Sequence, residues 1–126
     1  MTERIEFVLP YPPTVNTYWR RRGSQYYIAD TGKRYRKDVA HIVRQLGVRM
    51  NLAGRLAIKI MADPPDNRRR DLDNILKAPL DALTHAGVLV DDEQFDEIHI
   101  VRGQPSPGGR LGVKIYEIMH DGQVKK

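Results

Sequence analysis

A chain of 126 residues with a formal net charge of +5 is long enough for one hydrophobic core and too short for two. It contains no cysteine, which excludes disulfides and thiolate metal sites; any metal must be held by oxygen or imidazole, and this favours Mg²⁺ or Mn²⁺ over structural zinc. With neither a basic start leading into an apolar run nor a stretch near the ~20 apolar residues of a membrane span, the expectation is a soluble, cytoplasmic single domain over 1–126.

In chain order, Ile5, Phe7 and Leu9 alternate with Arg4, Glu6 and Val8, which predicts a strand over 4–9 ended by Pro10, Pro12 and Pro13. QYYIA at 25–29 reads as a short strand. Tyr35, Val39, Ile42, Val43, Leu46 and Met50 then recur at helical spacing, with Thr31 or Asp30 as the expected cap and Gly47 or Gly54 as the expected stop. Leu56, Ile58, Ile60 and Ala62 alternate in a strand closed by Pro64 and Pro65. The stretch NRRRDLDNILKAPLDAL at 67–83 places Leu72, Ile75, Leu76, Leu80 and Leu83 on one stripe and reads as a helix ended by Gly87, kinked by Pro79 unless that residue falls in a first turn. Residues 96–102 and 111–119 alternate as two further strands, and QPSPGGR between them suits a hairpin loop. This order predicts an α+β domain: a mixed sheet of about four strands with two main helices packed on one face.

Charge is spread unevenly. Residues 20–38 hold Arg20, Arg21, Arg22, Lys33, Arg34, Arg36 and Lys37 against Asp30 and Asp38, seven minus two, so the rest of the chain sums to zero. Tyr18, Trp19, Tyr26, Tyr27 and Tyr35 are interleaved with them. A surface that holds a polyanion and offers aromatic faces to bases has this mix, and so does a solvated loop with a few aromatics turned to the core.

The acids are equally two-sided. Asp71 and Asp73 sit two residues apart where a loop becomes a helix, and spacing alone favours helix capping over a shared metal. DDEQFDE at 91–97 holds five carboxylates and no base, which describes a solvated turn unless the chain folds it back toward Asp73. Lys77 lies four residues after Asp73 and four before Asp81. It makes two modest surface ion pairs there or, beside a phosphodiester, neutralises charge on the phosphorus oxygens.

RRRDLDNILKAPLDAL followed by GVLVDDEQ resembles the central motif of the RusA family of Holliday junction resolvases. LPYPPTVNTYWR and GGRLGVKIYEI are similar to that family's opening proline-rich loop and closing strand. The resemblance implies a homodimeric endodeoxyribonuclease of bacteria or their prophages, dependent on Mg²⁺ with Mn²⁺ as a substitute, that resolves four-way junctions by paired symmetric nicks in recombination and repair. It further implies that Asp71, Asp73 and Asp92 hold the metal, that Lys77 and Arg70 assist at the phosphate, and that Asn16, Arg20, Arg21, Arg22, Arg68 and Arg69 contact DNA. Three carboxylates within about 5 Å repel by roughly 3 kcal/mol per pair at an effective dielectric near 20, so such a cluster calls for a cation. The competing readings are a nuclease for flaps or forks, and a non-catalytic basic DNA-binding protein whose aspartates are only caps.

Overall fold

The first alternating stretch forms β1 (Arg4–Pro10) in the computed structural model, which describes residues 4–118. A single helical turn, α1 (Val15–Tyr18), leads into β2 (Trp19–Arg22) and β3 (Gln25–Ile28). There follow α2 (Asp30–Leu46), β4 (Leu56–Asp63), a 3-10 turn at Leu72–Ile75, α3 (Lys77–Ala86), a second 3-10 turn at Asp92–Gln94, β5 (Phe95–Arg102) and β6 (Arg110–Glu117). Residue 119 of the expected last strand lies outside the described residues.

Four strands make one sheet in the order β1-β6-β4-β5, with β6 antiparallel to both neighbours and β5 parallel to β4. Phe7, Leu9, Ile58, Ile60, Leu111, Val113 and Ile115 turn to one face and are buried with Tyr35, Val39 and Val43 of α2 and Ala82 and Leu83 of α3. The opposite face leaves Val8, Met61 and Val101 exposed. The expected α+β class, with a mixed sheet of four strands and two main helices on one face, is what the chain builds.

Three local expectations need correction. QPSPGGR does not close a hairpin, because β4 lies between the strands it joins. Burial decides the order: Leu111, Val113 and Ile115 on one side of β6 are buried and need the sheet centre, whereas β5 leaves most side chains exposed and accepts an edge. The loop is tied across the end of β4 by bonds from the Gly103 N–H to the Ala62 carbonyl and from the Ser106 N–H to the Pro64 carbonyl, both 2.8 Å. The single helix expected within 67–83 is divided into the 3-10 turn and α3, which places Pro79 third in α3, where a missing N–H loses no helical bond. The start of α2 is capped by neither Thr31 nor Asp30. Ala29 occupies that position, Asp30 stands in the first turn, and Thr31 Oγ1 donates to the Thr17 carbonyl. Its end comes at Gly47 in a left-handed conformation, φ 70°, as glycine permits.

β2 and β3 form a separate antiparallel ribbon. The root of this ribbon is held against α2 by close approach at Gly32. A Cβ there would fall 2.7 Å from both Ile28 Cγ1 and the Tyr18 carbonyl oxygen, and Tyr18 is fully buried. Gly32→Ala is therefore expected to destabilise the fold by about 1–3 kcal/mol, the usual cost of overpacking, read as a lowered urea midpoint at unchanged slope. An unshifted midpoint would mean that the ribbon root yields freely.

Candidate active site

β4 stops at Pro64 and Pro65, and the chain then runs irregularly to the 3-10 turn. Asp66 holds this connection. Its Oδ1 accepts from the Arg68 backbone N–H at 2.9 Å and from Arg70 at 2.7 Å. The Arg70 bond first, then the Arg68 N–H, keeps the Asp66 carboxyl down at about 2. The Arg70 guanidinium also lies 5.8 Å from the centre of the Tyr11 ring, and Arg102 donates to the Arg70 carbonyl. Arg70 is thus engaged rather than free, while Arg68 and Arg69 are exposed.

Asp71 is extended, at φ −94° and ψ 132°, and stands where a cap would, yet its side chain makes no capping bond. It lines a recess of about 280 Å³ together with Thr14, Arg69, Arg70 and Asn74. A recess lined by a carboxylate and two arginines is an arrangement that accommodates both a cation and a phosphate. Asp73 is exposed in the 3-10 turn that follows.

The second acidic segment is built around Gln94. Its Oε1 accepts from the N–H groups of Val90 (2.9 Å) and Asp91 (2.8 Å), and its Nε2 donates to the carbonyls of Leu52 (2.9 Å) and Gly54 (2.8 Å). Buried, with both oxygen lone pairs and both amide hydrogens used, Gln94 staples this turn to the approach to β4. Asp91 caps the turn by accepting from the Glu93 N–H at 3.2 Å. Arg55 pairs with Glu93 at 3.2 Å and with Asp96 at 2.7 Å, so the acidic run is partly neutralised from outside it. The sequence motif contained Gln94 together with Val90 and Asp91, but its other two partners, Leu52 and Gly54, lie too far along the chain for spacing to reveal them.

Asp92 is left facing Lys77, whose Nζ is 3.9 Å from Oδ2. Burial, aided by a hydrogen bond with Asp91, pushes the Asp92 carboxyl above its ordinary range, and the Lys77 charge only partly opposes this. Helix spacing suggested Asp81 as a partner of Lys77, but Asp81 is already taken: Arg36 Nε donates to it at 2.8 Å, and the Tyr18 hydroxyl donates to the same oxygen. Burial pulls Asp81 upward, yet the bonds from Arg36 and Tyr18, with the Arg36 and Lys77 charges, hold it below the usual carboxylate range.

The fold therefore brings Lys77 to Asp92, and Asp71 to Arg69 and Arg70. Among the described residues no three His, Asp or Glu side chains are gathered closely enough to hold a metal, so Asp71 and Asp73 at the first 3-10 turn and Asp92 at the second are not a preformed cluster. Arg20, Arg21 and Arg22 are exposed on the ribbon. Asn16 lies in α1, its side chain outside what the structure describes.

Residues 10–116 match the family model described as Endodeoxyribonuclease RusA. The chain is 65% identical over 113 residues to the crossover junction endodeoxyribonuclease rusA of Enterobacteria phage HK97, covering 90% of this chain and 94% of the relative. It is 40% identical over 110 residues to the RusA enzyme of Escherichia coli K12, covering 87% of this chain and 92% of the relative. For the enzyme of Enterobacteria phage 82 the identity is 41%, at the same coverage.

These carboxyls respond to pH in opposite directions. Asp66 and Asp81 titrate lower folded than unfolded, so the stability they contribute is complete above an ordinary carboxylate pKa of ~4 and is lost as pH falls through their folded values. Asp92 titrates higher when folded, so its contribution is present below ~4 and is lost as pH rises through its folded value. Asp92→Asn at pH 7, with divalent metal removed, is accordingly expected to raise the melting temperature, by ~2 °C. A fall would mean that attraction to Lys77 outweighs the cost of burying this charge.

Proposed function

Because the chain belongs to the RusA family of endodeoxyribonucleases, we propose that it cleaves four-way DNA junctions, the crossover structure named for its phage HK97 relative. The observation that carries this reading is 65% identity spread over nearly the whole of both chains. Relatives from phages HK97 and 82 support a phage or prophage setting, with action on DNA in the cytoplasm. No helix among the described residues is long and apolar enough to cross a membrane.

The family implies a metal-dependent nuclease, and the donors here suit Mg²⁺, with Mn²⁺ as a substitute. Asp71, Asp73 and Asp92 offer oxygen alone, and Asp92, poorly placed to carry its own charge, gains from a cation nearby. Such an ion supplies polarisation of the phosphate and acidification of water. Lys77, held at Asp92, places an ammonium where charge develops on the phosphorus oxygens. Arg70, fixed by Asp66, and Arg69 line the recess of Asp71 and hold the same phosphate from the other side. Arg20, Arg21, Arg22, Arg68 and Asn16 engage DNA beyond the scissile position. Two copies in a homodimer present two such sites about a twofold axis, matching the approximate twofold symmetry of the junction, so one binding event yields two symmetric nicks.

Incubation with a synthetic four-way junction and Mg²⁺ should give paired nicks that EDTA abolishes. Asp71→Asn and Asp73→Asn are expected to slow cleavage at least about a hundredfold while leaving junction binding intact. Lys77→Met should slow it by a similar factor. Asn variants that cut as fast as the unmodified protein would refute the assignment of the carboxylates, and preferential cutting of flaps or forks in the same assay would replace the substrate.

A further inference from the structure

The β2–β3 ribbon has a construction that phosphate attraction alone does not require. Trp19 pairs with Ile28, Arg20 with Tyr27, Arg21 with Tyr26 and Arg22 with Gln25. Opposed residues share a face, so Arg21 and Tyr26 continue the side of Trp19, while Arg20, Arg22 and Tyr27 occupy the other. On each side a guanidinium lies over a tyrosine ring: Arg21 is 5.6 Å from the centre of Tyr26, and Arg22 is 6.0 Å from that of Tyr27. Arg21 Nε also donates to the Gly23 carbonyl at 2.7 Å. Both rings face solvent, Tyr26 69% and Tyr27 45% exposed.

Residues 19–28, WRRRGSQYYI, contain three arginines and no acid, and none of the three has an ion pair among the described residues. Exposed and unpaired, all three are free to meet an anion from outside. The root of the ribbon is tied down: the Ala29 N–H donates to the Tyr18 carbonyl at 2.9 Å, and Tyr18 is bonded to Asp81, one helical turn beyond Lys77. The ribbon is thus anchored to the helix that carries the candidate catalytic lysine.

We propose that this ribbon enters the major groove of a duplex arm beside the cut and presents Arg21 and Arg22 to the base edges. The inference rests on the DNA-cleavage reading above. The major groove, ~12 Å wide and ~8.5 Å deep, admits a two-stranded ribbon, and four residues at ~3.3 Å each reach its floor. Tyr26 and Tyr27 hold the guanidinium planes in place before binding, so that little freedom is lost when each fork meets a pair of base acceptors.

Dimethyl sulfate footprinting of a four-way junction, in EDTA so that nothing is cut, tests this. The reagent methylates guanine N7 in the major groove and adenine N3 in the minor groove. The unmodified protein should protect guanine N7 in an arm next to the crossover. The double variant Arg21→Lys, Arg22→Lys keeps the charge and removes the forks; it should weaken that protection and bind about tenfold more weakly, with the salt dependence and melting temperature unchanged. Protection and affinity undiminished in the lysine variant, or a complex that cuts on addition of Mg²⁺ yet never protects N7, overturns the ribbon assignment and leaves the cleavage reading standing. A protein that neither binds nor cuts junctions overturns both.

Discussion

The carboxylate of Asp81 is the interaction on which the arrangement of this molecule depends. An ionised carboxylate partly withdrawn from water, as Asp81 is, carries a cost that pairing and hydrogen bonds offset. Asp81 obtains both by drawing Tyr18 from α1 and Arg36 from α2 onto α3. Three segments distant in sequence are thereby fixed at one point in the helical layer. Two consequences follow for the candidate site. Lys77, deprived of its nearest helical partner, reaches Asp92 instead. The arginine-bearing ribbon, which starts at the residue after Tyr18, is held in a defined relation to α3.

The other acids divide by what they touch. Asp66 is held by Arg70 and Arg68, Asp63 by Arg110 at 3.0 Å, Asp91 by a backbone N–H, and Asp96 by Arg55. These carboxylates shape loops. Asp71 and Asp73 have no side-chain partner among the described residues, and Asp92 is opposed only by a lysine at 3.9 Å while burial works against its charge. Asp71, Asp73 and Asp92 are thus carboxylates that neither a guanidinium bond nor a cap engages, and they are available to a cation.

The sequence showed elements more clearly than neighbours. β1, β4 and α2 were legible because alternation and helical spacing report directly which side chains face a core. The glycines and prolines of QPSPGGR correctly signalled a reversal, but turn chemistry is local and does not reveal that a third strand lies across the gap. Pro79 warned of an irregularity, without locating the break before Lys77. β2 was missed because three consecutive arginines break any alternation; its strand character comes from pairing with β3. Around the site, the motif carried the family resemblance, whereas the preference of Lys77 for Asp92 over Asp81 arises from contacts between residues far apart in sequence.

The place of β6 bears on how the protein is made. This strand separates β1 from β4 and pairs with both, so the centre of the sheet stays open until β6 itself has been made. During synthesis on the ribosome, β1 and the inner edge of β4 emerge as unsatisfied templates, open to any passing strand. Closing the sheet then awaits pairing between β1 and β6, strands far apart in sequence, and contacts of such long separation slow folding.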